Sequence, residues 1–233
     1  MDDNSNFETF LLISSNKIKI IVCNDLEQKI YENETEFQDI SRNLIIHKLD
    51  QFLDENIFKV EKKIKNFIKK ISIILDLDIF FSLDISVKKN NFDNSIETIN
   101  LNHLLYEAKD CCKKTIDEKK IIHMIIENYK IDNKNYSFLP NGINCNNFSI
   151  DVKFICVPYE VLKNLEKTLK KYQISLNQLL SASYVCQFSI ENENDIVLTA
   201  KKLMKGYNSN EVFLIDKTNK NLGFFERFFN LFN

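Results

Sequence analysis

The chain is poor in the residues that make tight or irregular backbone: of 233 positions, three are glycine and two are proline. Nucleotide-binding loops press several main-chain amides against phosphate, and that approach ordinarily needs clustered glycine. Gly142, Gly206 and Gly223 stand alone, so a phosphate-cradling loop is not expected. Tryptophan is absent and arginine occurs only at Arg42 and Arg227. With 31 basic residues against 33 acidic ones there is no global attraction for nucleic acid, and none is expected as a partner. No apolar run reaches the ~18–20 residues of a membrane span. Met1–Glu8 is polar and acidic, unlike a signal peptide, which leads us to expect a protein that stays on the cytoplasmic side. The six cysteines (Cys23, Cys111, Cys112, Cys145, Cys156, Cys186) show no metal-ligand spacing, and five of them sit where a buried, reduced thiol is expected.

What is present is an ordinary globular composition, 44% apolar and 27% charged. The length suits one generous domain or two small ones. Phe10–Ile13 and Ile18–Val22 flank the turn-like Ser14-Ser15-Asn16 and predict a hairpin, with a third strand over Leu26–Tyr31. Asn56–Ile71 carries Ile57, Val60, Ile64, Phe67, Ile68 and Ile71 on one stripe of a predicted helix, and its six lysines read as a solvated face. Ile73–Val87 alternates throughout and predicts a long half-exposed strand, or two joined by a bend. Asp76, Asp78 and Asp84 share its polar side, where a flat spacing does not converge on a cation.

Further on, Asn100 is placed to cap a helix bearing Leu101, Leu104, Leu105, Ala108 and Cys112. Lys120–Ile131 and Phe148–Val157 read as strands, and Pro158 opens a helix. Asp195–Lys205 reads as a helix stopped by Gly206, and Glu211–Ile215 as a last strand. The strands within Ile73–Val87, Lys120–Ile131 and Phe148–Val157 are expected to pair in one sheet. His47, His103 and His123 are scattered and assemble no catalytic set; no catalytic, cofactor-binding or metal-ligating residue is assigned.

Three segments resemble the inserted 1C subdomain of the bacterial cell-division protein family FtsA. They are Leu104–Lys109, ending on Ala-Lys; Ile121–Asp132, with His123, Tyr129 and a final Ile131-Asp132; and Leu176–Tyr184, ending on Ser-Ala-Ser-Tyr. The resemblance implies an α+β fold: a partial actin-like (ribonuclease H-like) subdomain with an inserted strand-helix-strand-strand unit. It divides the chain into residues 1–72 with 190–216 as the actin-like part, 73–189 as the 1C-like part, a linker over 217–221 and a terminal helix over 222–233. The family's first phosphate loop, of the form D-I-G-T-S-K, aligns here with Leu12-Ile13-Ser14-Ser15-Asn16-Lys17, so its acid and glycine are missing. The second such loop is expected soon after Tyr184, where the chain reads Glu191-Asn192-Glu193-Asn194. With the second actin-like lobe unmatched, neither ATP nor direct FtsZ binding is carried over.

Leu222–Phe232 places seven apolar side chains in eleven residues. On a helical projection Leu222, Phe224, Phe225, Phe228, Phe229, Leu231 and Phe232 occupy one half-circle, opposite Glu226, Arg227 and Asn230. A helix of about 16–17 Å is too short to cross a bilayer and suits the interface, as do the terminal membrane helices of this family. These seven residues are the expected membrane-binding set, and the weak affinity of a single tail implies self-association or a multivalent partner. The expected function is thus a non-enzymatic division adaptor without cofactor, peripheral on the cytoplasmic face of the inner membrane. Its expected partners are membrane lipid and other division proteins, such as full-length FtsA or late divisome components. The alternative is a PilM-like adaptor of a pilus or secretion assembly. A nucleotide-binding member of the actin superfamily is the third, disfavoured reading.

Overall fold

The computed structural model describes residues 7–38, 42–90, 96, 98–140, 142–189 and 195–213. The expected linker 217–221 and helix 222–233 lie outside them. The chain opens with three antiparallel strands, β1 (Phe7–Ser14), β2 (Lys17–Asn24) and β3 (Lys29–Glu36). Helix α1 (Arg42–Ile64) then leads into β4 (Lys70–Asp76), which pairs parallel to β1. A second set of elements follows: β5 (Phe81–Asn90), α2 (Thr98–Thr115), β6 (Lys119–Ile131), β7 (Lys134–Tyr136) and β8 (Asn147–Pro158). Helix α3 (Tyr159–Lys171) returns the chain to β9 (Ser175–Ser181), parallel to β4, before the helices α4 (Ala182–Cys186) and α5 (Ile196–Met204).

The two sheets are a five-stranded one ordered β3-β2-β1-β4-β9 and a four-stranded antiparallel one ordered β5-β8-β6-β7. The first order, with β2 antiparallel to its neighbours and α1 crossing over from β3 to β4, is the ribonuclease H-like arrangement. The second sheet is inserted between β4 and α3. The fold is therefore mixed α+β, a partial actin-like sheet carrying an inserted subdomain.

The first sheet is covered on both faces. Leu11, Ile13, Ile20, Ile71, Ile73 and Leu179 meet α1 and α3 on one side. On the other, Phe10, Ile21, Ile74 and Leu180 meet Tyr184, Val197, Ala200 and Leu203 of α4 and α5. In the second sheet, Val87, Met124, Ile126, Phe148, Val152 and Phe154 pack against Leu101, Leu104, Ala108 and Cys112 of α2. Its other face is polar: Ser86 and Asp151 lie 2.6 Å apart, Lys130 and Asp151 2.6 Å, and Lys153 and Glu127 2.5 Å.

Several expectations are corrected. Ile73–Val87 is two strands in different sheets, separated by residues 77–80, where the Ile79 amide donates to the Leu77 carbonyl at 2.9 Å. The expected pairing of three strands holds for its second part, since β5 pairs with β8 and β8 with β6, whereas residues 70–76 and β9 belong to the first sheet, α3 packs on it, and the inserted sheet spans only β5–β8. An unbroken alternation does not mark the change of sheet, because Ile74, on the side expected to face water, is covered by helices from far along the chain. Helix α1 starts earlier than expected and stops at Ile64, so Phe67 is exposed and Ile71 is a strand residue. The third strand lies at Lys29–Glu36 rather than Leu26–Tyr31; of the expected strand Glu211–Ile215 only residues 211–213 are described, and there Glu211 forms an isolated bridge with Ile125. Cys111 and Cys186 are exposed, leaving four buried thiols instead of five.

Scarce glycine shows in how the elements end. Gly206 terminates α5 at φ 86°, the expected position, but α1 and α3 stop at Lys65 (φ 54°) and Gln173 (φ 61°). Left-handed backbone costs a non-glycine residue roughly 1–2 kcal/mol, and at α1 it is offset by the Glu61 carboxylate, which accepts from the Ile68 amide at 3.0 Å. The β6–β7 hairpin turns on Asp132 and Asn133, both at positive φ, the two-residue turn whose twist matches antiparallel strands.

Candidate functional site

Two places could carry chemistry: the opening β1–β2 hairpin and the junction of the two sheets. At the hairpin, pairing of β1 with β2 persists to Ile13 opposite Ile18. The Ser14 hydroxyl lies 2.9 Å from Asn16 Oδ1 and 3.2 Å from the Lys17 carbonyl, and the Phe37 amide donates to the Asn16 carbonyl at 2.8 Å. The turn is occupied by its own side chains and carries no glycine to admit a close phosphate.

At the junction, β6, the end of β9, α4 and residues 208–212 converge. The Ser181 amide donates to His123 Nε2 at 3.1 Å, so the ring's proton sits on Nδ1 and is donated to Glu211 Oε1 at 2.7 Å. The Tyr184 hydroxyl donates to Glu211 Oε2 at 2.8 Å, and Asn208 Nδ2 donates to the Tyr184 oxygen at 2.9 Å. The His123 and Tyr184 rings lie 4.3 Å apart at 44°. Burial, with Glu211 adding to it, pushes the Tyr184 phenol well above its ordinary range. The main chain joins in: the Val212 amide donates to the Met124 carbonyl at 2.8 Å, and the Ile126 amide to the Asn210 carbonyl at 2.9 Å.

A histidine between a carboxylate and a serine invites comparison with a nucleophilic triad. The imidazole lone pair, however, is held by the Ser181 main-chain N–H, while the Ser181 hydroxyl sits 2.8 Å from that of Ser183. Nothing is left to take a proton from a nucleophile. His123 and Glu211, with side chains 0% and 4% exposed, form a structural clasp that ties segment 208–212 to both sheets.

The buried thiols are likewise unsuited to reaction. Burial, reinforced by the neighbouring Cys112, pushes Cys156 up to about 12. Among the described residues no group of three or more His, Cys, Asp or Glu is placed to hold a metal ion, and no helix is long and apolar enough to cross a membrane. A shallow open depression of about 440 Å³ beside Ile174 and Leu176 is bordered by Glu166, Lys170, Gln173 and Ser175.

The seven expected membrane-binding residues, Leu222, Phe224, Phe225, Phe228, Phe229, Leu231 and Phe232, lie outside the described residues. His123 was legible as a buried strand residue, but its partner Glu211 is 88 positions away and carries no local signal of the pairing.

No protein-family model matches the sequence, and no curated protein sequence does. Solved structures do match. A chain of the PilM–PilN type IV pilus biogenesis complex superposes with a TM-score of 0.50 over 76% of this chain, at 11% identity. Looser superpositions are found with the cytoplasmic domain of EpsL, an inner-membrane component of the type II secretion system of Vibrio cholerae (TM-score 0.38, 11% identity, 77% of this chain and 59% of that one). Another is a Bacteroides thetaiotaomicron protein described as having an actin-like ATPase fold and unknown function (TM-score 0.34, 12% identity, 80% of this chain and 57% of that one). The chain spans 48% of the PilM–PilN chain it matches. The likeness is one of fold.

Proposed function

We propose that this chain is a non-enzymatic adaptor that binds protein partners in a membrane-linked assembly of the pilus or secretion type. The observation that carries the reading is a partial actin-like sheet whose opening hairpin turns through Ser14-Ser15-Asn16, without glycine and with its side chains hydrogen-bonded to one another. A protein of this architecture that does not hold nucleotide is suited to binding through its surface. The fold it shares with the PilM–PilN chain favours a pilus-type assembly. Peripheral attachment through Leu222, Phe224, Phe225, Phe228, Phe229, Leu231 and Phe232 belongs to the same proposal: Phe228→Glu with Phe229→Glu should release the protein from neutral vesicles.

The second reading, a division adaptor, is favoured by the run Ile121–Asp132, which resembles the FtsA strand and here forms most of β6. Two measurements test the proposal. Magnesium-ATP titrated into the protein in a calorimeter should give no saturable heat, and binding at low micromolar affinity would sink the non-enzymatic reading. Deleting the gene should abolish surface pili or secretion while cells keep normal length; filamentous cells with intact pili would move the role to division.

A further inference from the structure

The six lysines of Asn56–Ile71 were expected to form the solvated face of a helix that turns Phe67 inward, and their surroundings differ from that. Helix α1 turns Leu49, Leu53, Ile57 and Val60 to the core. One hundred degrees per residue then places Phe58, Lys59 and Lys62 together on the side facing away. Phe58 and Phe67 are each 73% exposed, among the most exposed large apolar side chains of the described residues. Between and beside them, Lys59, Lys62, Lys63, Lys65, Lys69 and Lys70 are all exposed, against the single acid Glu61.

None of these six lysines forms an ion pair with a described residue. Of the acids along and beside this stretch, Glu61 accepts from the Ile68 amide, Asp50 pairs with Lys171 at 2.7 Å and Asp54 accepts from the Tyr172 hydroxyl at 2.7 Å, while Glu55, one turn before Lys59, is exposed. Ser175, whose amide donates to the Lys69 carbonyl at 2.9 Å, borders the same depression as Lys170, which brings a further lysine beside the patch. Lysines near a helix C-terminus are favoured by its dipole, but that accounts for neither the two exposed phenylalanines nor the charge past the end of the helix.

We propose that this face, Phe58–Lys70, is a docking surface for an anionic lipid bilayer, independent of the assembly partner and of the C-terminal segment. Lysine acts as a point charge and suits a diffuse negative surface such as an anionic bilayer. Phe58 on the helix and Phe67 in the loop that follows expose apolar rings beside these lysines, the combination that enters a headgroup boundary.

The test uses the full chain, in flotation with vesicles of phosphatidylcholine alone and with 30% phosphatidylserine. The variants are Lys59→Gln/Lys62→Gln/Lys63→Gln/Lys65→Gln and, separately, Phe58→Ser/Phe67→Ser. Each lysine near such a surface is worth roughly five-fold in affinity, so with at least two of the four reaching the surface the lysine variant should bind anionic vesicles at least about 20-fold more weakly. Binding to neutral vesicles and the melting temperature should not change, since the substituted side chains lie outside the core. The phenylalanine variant should also weaken anionic binding, by several-fold. The Phe228→Glu/Phe229→Glu variant separates the two ideas: it should lose neutral-vesicle binding yet keep the charge-dependent increment. An increment that survives the lysine substitutions overturns the proposal. So does wild-type binding to a single-stranded oligonucleotide or to polyglutamate that is tighter than to the anionic vesicles.

Discussion

In β4 every residue from Ile71 to Leu75 is buried, whereas in β5 Ser82, Asp84 and Ser86 face solvent on alternate positions. The difference follows from what covers each sheet. β4 lies between β1 and β9 with helices on both faces, so its sequence reads as nearly continuous apolar residues. β5 is the edge of an antiparallel sheet covered only by α2, so it alternates, and its outer face is a polar ladder of Ser86, Asp151, Lys130, Lys153 and Glu127. Stability should therefore be concentrated in the first sheet, while the insertion tolerates change and offers surface. That division suits a scaffold carrying an interaction module.

The largest expected effect breaks the first sheet. Ile73→Ala removes a fully buried side chain from the core between β4 and α1 and should cost about 3–4 kcal/mol. Ile85→Ala, at a half-buried position of the inserted sheet, should cost about 1 kcal/mol. Urea midpoints measure both, and equal shifts would erase the contrast between the sheets.

Next in size is the clasp that joins the two regions. Glu211→Ala leaves the His123 Nδ1 proton and the Tyr184 hydroxyl buried without an acceptor, and should cost about 2–4 kcal/mol. Hydrogen exchange gives the sharper readout, because the Ile126 and Val212 amides, which hold segment 208–212 against β6, should lose protection before the strands do. Protection unchanged at these two amides would mean that the clasp does not hold the segment.

The smallest effect lies at the rim of the first sheet, where Asp195 caps α5. Burial works against its charged form, but the Lys29 ammonium at 2.7 Å and the Val197 and Leu198 amides outweigh it and hold the carboxyl below its ordinary range. A depressed folded-state value contributes stability that is present above the unfolded-state value and lost as pH falls through the folded one. Asp195→Ala should cost about 1 kcal/mol at neutral pH and flatten the stability profile on the acid side of pH 4. Thermal melts of both proteins at pH 7 and pH 3 check the sign: the gap should narrow on acidification.

The sequence alone determined the local elements wherever a periodicity or a terminating residue is self-contained. The Ile13–Ile18 hairpin, the strand β8, the helix opened by Pro158 and the stop at Gly206 all depend on neighbours within a few positions. The lack of glycine in the Ser14-Ser15-Asn16 turn was also legible, because a loop's chemistry is written in its own residues. The tertiary structure decided which sheet each strand joined, since Ile73 and Ile85 share one unbroken alternation and only the helices packed on Ile74 tell them apart. It also decided that His123 is a clasp, because Ser181 and Glu211 come to the ring from 58 and 88 positions away. It likewise exposed Phe67, which helical periodicity had turned inward, because the chain leaves the helix at Lys65 through a left-handed residue that no glycine announces. Contacts between distant segments depend on how the whole chain packs, and no window of neighbouring residues contains that information.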